Sequence, residues 1–283
     1  MNNYIHLEKW VNHQEGPNAL VLYGEGINCD RETAYALNKA GANPNVMHIN
    51  ELTKKSEVLN NYQILVVPGG FSYGDDLGSG LVFGKNLLKL GNKLKDFIEE
   101  GKAVIGICNG NQILTVAGLI PALQDIIGIQ EVFMSNNTNA RYTCLWNHLK
   151  IENQTPYLKN VKDLILPCAH GEGLYTMAQE TLDTLIKNKQ VVLRFTKPDG
   201  MPAKGQFPFS PNGSMYDIAA ITNTKGNVFG IMPHPERFIN MTQHPEYAFI
   251  NEKSKRTKQP LPKEGSGLQI FKNIVDYAKN LSL

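Results

Sequence analysis

Four short apolar runs, at residues 19–23, 44–49, 63–67 and 103–107, are separated by stretches whose apolar residues recur at helical spacing, as Leu90, Leu94, Phe97 and Ile98 do. A strand buried on both faces reads as a continuous apolar run, and a helix laid over it as one apolar stripe. The alternation therefore predicts β-α-β units: an α/β fold with a mainly parallel central sheet flanked by helices and joined by right-handed crossovers. In such a sheet the functional site lies outside the carboxyl ends of the strands. From residue 130 onward the apolar runs are less regular, at 141–151, 191–196, 216–222 and 227–232, and this second half is expected to add antiparallel strands. Leu268, Phe271, Ile274, Val275 and Ala278 predict a closing helix, and the polar stretch 251–267, with Lys253, Lys255, Arg256 and Lys258, predicts an exposed connection before it. Residues 1–18 read as an extension ahead of a single domain, 19–283.

Composition narrows the class of function. The chain has 283 residues, 42% of them hydrophobic, enough for a sizeable core. Lysine and arginine number 28 against 26 aspartates and glutamates, a net charge of +2. That balance argues against nucleic acid or a membrane surface as the main partner. Cysteines at 29, 108, 144 and 168 are too scattered for a metal cluster or a disulfide framework. The opening MNNYIHLEKWVNHQEG lacks the charged-then-apolar pattern of a secretory leader. A reducing compartment, the cytoplasm, is the expected location.

The fourth apolar run continues as GICNGNQIL, which sets Cys108 between a strand and a helix beginning near residue 111. A thiol at that junction meets backbone N–H groups and the positive end of the helix dipole, both of which favour a thiolate. Gly106 and Gly110 permit the close backbone approach that a sharp strand-to-helix elbow needs. Taken alone, Cys108 could equally be one more buried small residue. Partners elsewhere favour the nucleophile: the run at 227–232 is followed by PHPERF, placing a base, His234, and an orienting carboxylate, Glu236, just past a strand end. A second His-Pro-Glu, His244 to Glu246, comes after no apolar run and reads as a loop. The segment VVPGGFSYGDDLGSG, from Val66, breaks from strand into glycines and can offer bare N–H groups to a developing oxyanion, each worth about 3 kcal/mol. Gly70 and the N–H of Asn109 are the candidate oxyanion hole, with Gly69 and Phe71 beside the substrate. The loop lacks the lysine and hydroxyl of a phosphate-cradling P-loop.

The joint pattern of GICNGNQ and a distant HPE resembles the class I, triad-type glutamine amidotransferases. The further blocks PGGFSYGDDLGSG, HGEG at residues 170–173, PNGS at 211–214 and GIMPHPERF are similar to the glutaminase subunits of phosphoribosylformylglycinamidine synthases, over nearly the whole chain. The resemblance implies a flavodoxin-like architecture and a Cys108, His234, Glu236 triad that hydrolyses L-glutamine through a glutamyl thioester, with Gln112 contacting the glutamine. It further implies that ammonia passes to a large synthase subunit, which holds the ATP and Mg, alongside a possible small accessory subunit, in de novo purine synthesis; this chain itself carries no cofactor. An amidotransferase with another acceptor, or a non-catalytic subunit of the same fold, stays open on the residues alone. His170 and Glu172 lack the P-C-x-x-C of a zinc deaminase and read as a loop shaping the partner face. Asp75 and Asp76, without a third oxygen ligand, read as turn and cap residues rather than a metal site. Cys29, ahead of a helix, reads as structural.

Overall fold

Strands β1 (Asn18–Tyr23), β2 (Asn43–His48), β3 (Ile64–Val67) and β4 (Ala103–Ile107) fall within one residue of the four apolar runs. The computed structural model describes residues 10–281 apart from 163, so residues 1–9 of the expected extension lie outside the described residues. Between these strands lie α1 (Asp30–Ala40), α2 (Ile49–Lys54), α3 (Leu81–Leu88) and α4 (Asn92–Glu99), and α5 (Asn109–Val116) comes after β4. The second half holds β5 (Phe133–Asn136), β6 (Thr143–Ile151), β7 (Leu164–His170), β8 (Glu172–Thr176), α6 (Gln179–Lys187), β9 (Val191–Thr196), β10 (Ile218–Thr222) and β11 (Val228–Ile231). The helices α7 (Tyr247–Thr257) and α8 (Ser266–Lys279) close the chain.

Nine strands form one mixed sheet in the order β2-β1-β3-β4-β11-β10-β9-β6-β7. The first five are mutually parallel and the pairs from β11 to β7 are antiparallel. Of the second-half runs, three become the antiparallel strands β6, β9 and β10, and the last becomes β11, which returns to lie parallel to β4; β7 falls in none of them. The chain leaves β1 toward β2 and then crosses back to β3 on the other side. The gap between the carboxyl ends of β1 and β3 is therefore the switch point at which such sheets hold ligands. Helices α1 and α8 pack on each other, and α5 packs against β3, β4 and β11 with α3 packed on it. Strands β3, β4 and β11 are buried along their whole length, as a sheet covered on both faces requires.

Three features depart from the sequence pattern. The pair β5 and β8 forms a separate two-stranded sheet. Strand β7 carries Pro167, a signal against a strand, yet β7 ends the sheet order and an edge strand can spare an amide donor. The stretch 251–267, expected as a connection, carries the greater part of α7. That helix buries no residue; it holds helix-forming charged residues and an Arg256 to Glu252 pair at 2.9 Å on one face, so local propensity forms it without a core stripe.

Candidate active site

Cys108 joins β4 to α5 in a conformation that L-residues rarely adopt, φ 51° and ψ −108°. Holding a non-glycine residue there costs on the order of 1–3 kcal/mol. Its surroundings impose that geometry: the Cys108 N–H donates to Ile231 O at 2.8 Å, and the Gln112 N–H donates to Cys108 O at 3.1 Å. Gly106 and Gly110 are where the elbow closes. A Cβ on Gly110 would stand 1.8 Å from Val67 O, and one on Gly106 2.6 Å from Gly110 O. The thiol therefore sits at the amino end of α5, as the sequence predicts, 5% exposed.

His234 lies past β11, with its N–H donating to Pro167 O at 2.8 Å. Although β7 ends the sheet order, this bond and the 3.8 Å approach of Cys108 Sγ to Ala169 O bring β7 over the carboxyl ends of β4 and β11. The single helical turn Pro235–Arg237 then carries Glu236 back beneath the ring, and the N-terminus of α8 clamps the turn so closely that a Cβ on Gly267 would stand 2.0 Å from Pro235 O. Glu236 Oε1 is 2.6 Å from His234 Nδ1, with the two residues 1% and 2% exposed. Burial works against a charged imidazole, but the Glu236 carboxylate and the Cys108 thiol hold the His234 pKa well above its ordinary value. With Nδ1 committed to Glu236, Nε2 is the free base. It is buried, without a hydrogen-bond partner among the described residues, and has the Cys108 and Cys29 thiols as polar neighbours. The three residues thus come from two strand ends, Cys108 past β4 and His234 and Glu236 past β11.

Because Glu236 raises the His234 pKa, Glu236→Gln must lower it. The expected result is an ammonia-release rate reduced by about 10^2- to 10^4-fold, with the His234 limb of the kcat/KM profile moved to lower pH. A limb left in place in a pH-rate series would contradict the pairing.

Cys29 and Arg237 complete the surroundings of the triad. Arg237 Nη2 donates to Cys29 Sγ at 3.0 Å and Nε to Glu32 Oε1 at 3.0 Å, with Nε 3.9 Å from Glu236 Oε1. Burial pushes the Cys29 thiol up, so it stays protonated. Ligand atoms of Cys29, His234 and Glu236 lie within 4.8 Å of one another, the group among the described residues that could gather a metal ion. The Arg237 guanidinium on the Cys29 sulfur opposes a cation there.

Beside Cys108 opens a cavity of about 260 Å³ whose wall includes Gly70, Phe71, Gln112 and Tyr142. The glycine loop that forms one side is stapled to α5 by Asn109. Its side-chain Oδ1 accepts from the Ser72 N–H at 3.0 Å, and its Nδ2 donates to Asp75 Oδ1 at 3.2 Å and Gln112 Oε1 at 2.8 Å. Asn109 therefore does more than offer a backbone N–H. Gln112 stands in the wall as expected, with its amide engaged by Asn109 and by the Glu172 carbonyl oxygen. Phe71 is half-exposed and packs against Tyr142 with ring centroids 6.2 Å apart.

Gly69, expected beside the substrate, is not in the cavity wall. A Cβ there would stand 2.9 Å from His234 Cε1, 3.2 Å from Cys29 Sγ and 3.5 Å from Cys108 Cβ, so the missing side chain makes room for the imidazole. Gly69→Ala is expected to shift the ring and reduce kcat by roughly 10^2-fold with the fold intact by circular dichroism. Unchanged kcat would show that the ring has slack. Asp75, His170 and Glu172 do stand in the wall, where the sequence pattern suggests a turn residue and a partner-facing loop. The HGEG block is the sequence signal for two of them. His244 is not in the cavity wall; its ring joins Trp146 and Phe238 in tilted contacts, with centroids 5.8 and 5.6 Å away.

A thiol at a strained strand-to-helix elbow, a buried imidazole and a carboxylate, all at the carboxyl ends of a parallel sheet, form the arrangement of a nucleophilic acyl-transfer enzyme. The chain belongs to the family of CobB/CobQ-like glutamine amidotransferase domains, whose family model matches residues 16–278. Among particular relatives, it is 42% identical over 265 residues to the phosphoribosylformylglycinamidine synthase subunit PurQ of Methanococcus maripaludis, covering 92% of this chain and 97% of that one. It is 38% identical over 266 residues to the subunit of the same name from Dehalococcoides mccartyi, covering 93% and 98%. Among solved structures, a chain of PurLQS from Thermotoga maritima superposes with a TM-score of 0.68 at 30% identity, covering 93% of this chain and 99% of that one.

Proposed function

We propose that this chain is the glutaminase subunit of a phosphoribosylformylglycinamidine synthase, supplying ammonia for de novo purine synthesis. The observation that carries the reading is the buried pairing of His234 with Glu236 beside Cys108, in a chain at 42% identity to subunits of that name over nearly its full length. In this reading Cys108 attacks the side-chain amide carbon of L-glutamine. His234 Nε2 takes the thiol proton and passes it to the departing nitrogen, so that ammonia leaves and a γ-glutamyl thioester remains. Glu236 holds the imidazole in the competent tautomer. The oxyanion is met by Gly70 in the loop and the Asn109 N–H at the start of α5. A water molecule, activated by the same imidazole, then releases glutamate. In this reading ATP and Mg belong on a large synthase subunit that accepts the ammonia, alongside a small accessory subunit. The four cysteines are unpaired, in keeping with a reducing cytoplasm, and among the described residues no helix is long and apolar enough to cross a membrane.

The test is ammonia release from L-glutamine by the chain alone and mixed with a formylglycinamide ribonucleotide synthase large subunit, ATP and the ribonucleotide. Release that depends on Cys108 and rises with the large subunit supports the reading. Release that depends on Cys108 but ignores that subunit points to another acceptor, and no release under any condition returns the chain to a non-catalytic role.

A further inference from the structure

Cys29, the residue ahead of α1, takes no part in the chemistry of the triad yet is tied to both sides of the site. Its N–H donates to Gly69 O at 3.1 Å, and the Phe71 N–H donates to Gly26 O at 2.9 Å. The turn at residues 26–29 is thus laid along the glycine loop on either side of Gly70. The approach is so close that a Cβ on Gly26 would stand 2.0 Å from Phe71 O. On its other side the residue reaches the triad. Cys29 Sγ lies within 4.8 Å of a ring nitrogen of His234 and of a carboxylate oxygen of Glu236, in a residue 1% exposed.

A second thiol beside the base competes with Cys108 for it. His234 Nε2 has no hydrogen-bond partner among the described residues and both thiols as polar neighbours, so the way Cys29 is held decides which sulfur the ring faces. The Cys29 S–H donates to Asn28 Oδ1 at 3.3 Å, and Arg237 Nη2 donates to the sulfur at 3.0 Å. Its hydrogen is given and a lone pair is taken, which leaves the sulfur to serve as a wall for the imidazole. Arg237 is itself fixed on the first turn of α1, with Nε donating to Glu32 Oε1 at 3.0 Å. The guanidinium also meets an electrostatic demand. Glu236 is buried, its Oε2 has no hydrogen-bond partner among the described residues, and Arg237 is the one lysine or arginine among them in ion-pair reach, with Nε 3.9 Å from Oε1. A carboxylate taken out of water needs an opposite charge close by.

We propose that Arg237 and Cys29 are positioning residues for the reaction. The guanidinium, fixed by Glu32, pins the Cys29 sulfur against the His234 imidazole and steadies the Glu236 carboxylate, so that the ring stays aimed at Cys108. The backbone of the same cysteine holds the glycine loop, which ties the place of the base to the place of the oxyanion donors. The inference rests on the glutaminase reading and adds two residues to its machinery. Neither Arg237 nor Cys29 stands in the wall of the cavity beside Cys108, so their loss acts on the chemical step and spares substrate binding.

The experiment measures ammonia release from L-glutamine by Arg237→Gln, Arg237→Lys, Cys29→Ala and Cys29→Ser, with the large subunit, ATP and the ribonucleotide present and Cys108→Ala as the blank. It also records, on the chain alone, the downfield proton NMR signal of the hydrogen in the 2.6 Å bond between His234 Nδ1 and Glu236. Arg237→Gln and Cys29→Ala are each expected to lower kcat about 10- to 100-fold with KM within a few-fold, and to shift or broaden that signal. The double variant is expected to lose no more than the worse single one, because the two side chains form one link. Cys29→Ser, whose hydroxyl still accepts from the guanidinium, is expected to recover most of kcat. Arg237→Lys is not, since a single ammonium cannot span Glu32 and Cys29 as the guanidinium fork does. A merely structural role would lower the unfolding temperature and leave kcat and the NMR signal where they were. That outcome, or a kcat loss in the double variant equal to the product of the two single losses, would overturn the link while leaving the glutaminase reading intact. Absence of Cys108-dependent release from the wild type would overturn the glutaminase reading, and the positioning role with it.

Discussion

Cys108→Ala is expected to abolish ammonia release from L-glutamine, a loss on the order of 10^4-fold or more, because without the sulfur no thioester can form and the imidazole has nothing to activate. The fold should survive. Alanine occupies the same left-handed elbow with no larger side chain, the N–H to Ile231 O bond is a backbone bond, and the lost sulfur makes a long 3.8 Å contact to Ala169 O beside its approach to His234. Thermal unfolding measured alongside the ammonia assay distinguishes the outcomes. A variant that unfolds with the wild type yet keeps its activity would remove Cys108 from the chemistry.

The second large effect is a contrast between two histidines in the same local motif. His234→Ala is expected to lose about 10^3-fold or more in kcat, since it removes the base and strands the Glu236 carboxylate in a buried site. His244→Ala should leave kcat within a few-fold and cost stability instead, about 0.5–1.5 kcal/mol for a ring packed against Trp146 and Phe238. Steady-state kinetics and denaturant unfolding on the two variants read the two quantities separately. Equal losses of activity would overturn the assignment of His234.

The histidine pair also shows how far a linear reading reaches. Both are trailed by Pro-Glu, and local sequence separates them only because an apolar run precedes His234 and none precedes His244. That signal is physical: a strand buried in the sheet ends at a determined place, so the residues just past its end are positioned, whereas those of a polar connection are not. The same holds for Cys108, whose flanking Gly106 and Gly110 announce a close approach that the structure shows as prospective contacts of 2.6 and 1.8 Å. Gly69 gives the opposite lesson. Its neighbourhood in the glycine loop suggests contact with substrate, and only the packing of three chain segments shows that its bare Cα faces His234, Cys29 and Cys108.

The sequence by itself determined the alternation of strands and helices, the elbow at Cys108 and the family, because each rests on forces acting within a few residues: hydrophobic period, glycine sterics and the helix dipole. Tertiary structure alone decided that Pro167 would hold the His234 backbone, that α8 would clamp the turn bearing Glu236, and that Asp75, His170 and Glu172 would share a wall with Cys108. The ends of β3, β4, β7 and β11 lie far apart along the chain, and no local propensity encodes their meeting. Their meeting comes from the order of the strands in the sheet, which is set by the burial of both its faces at once.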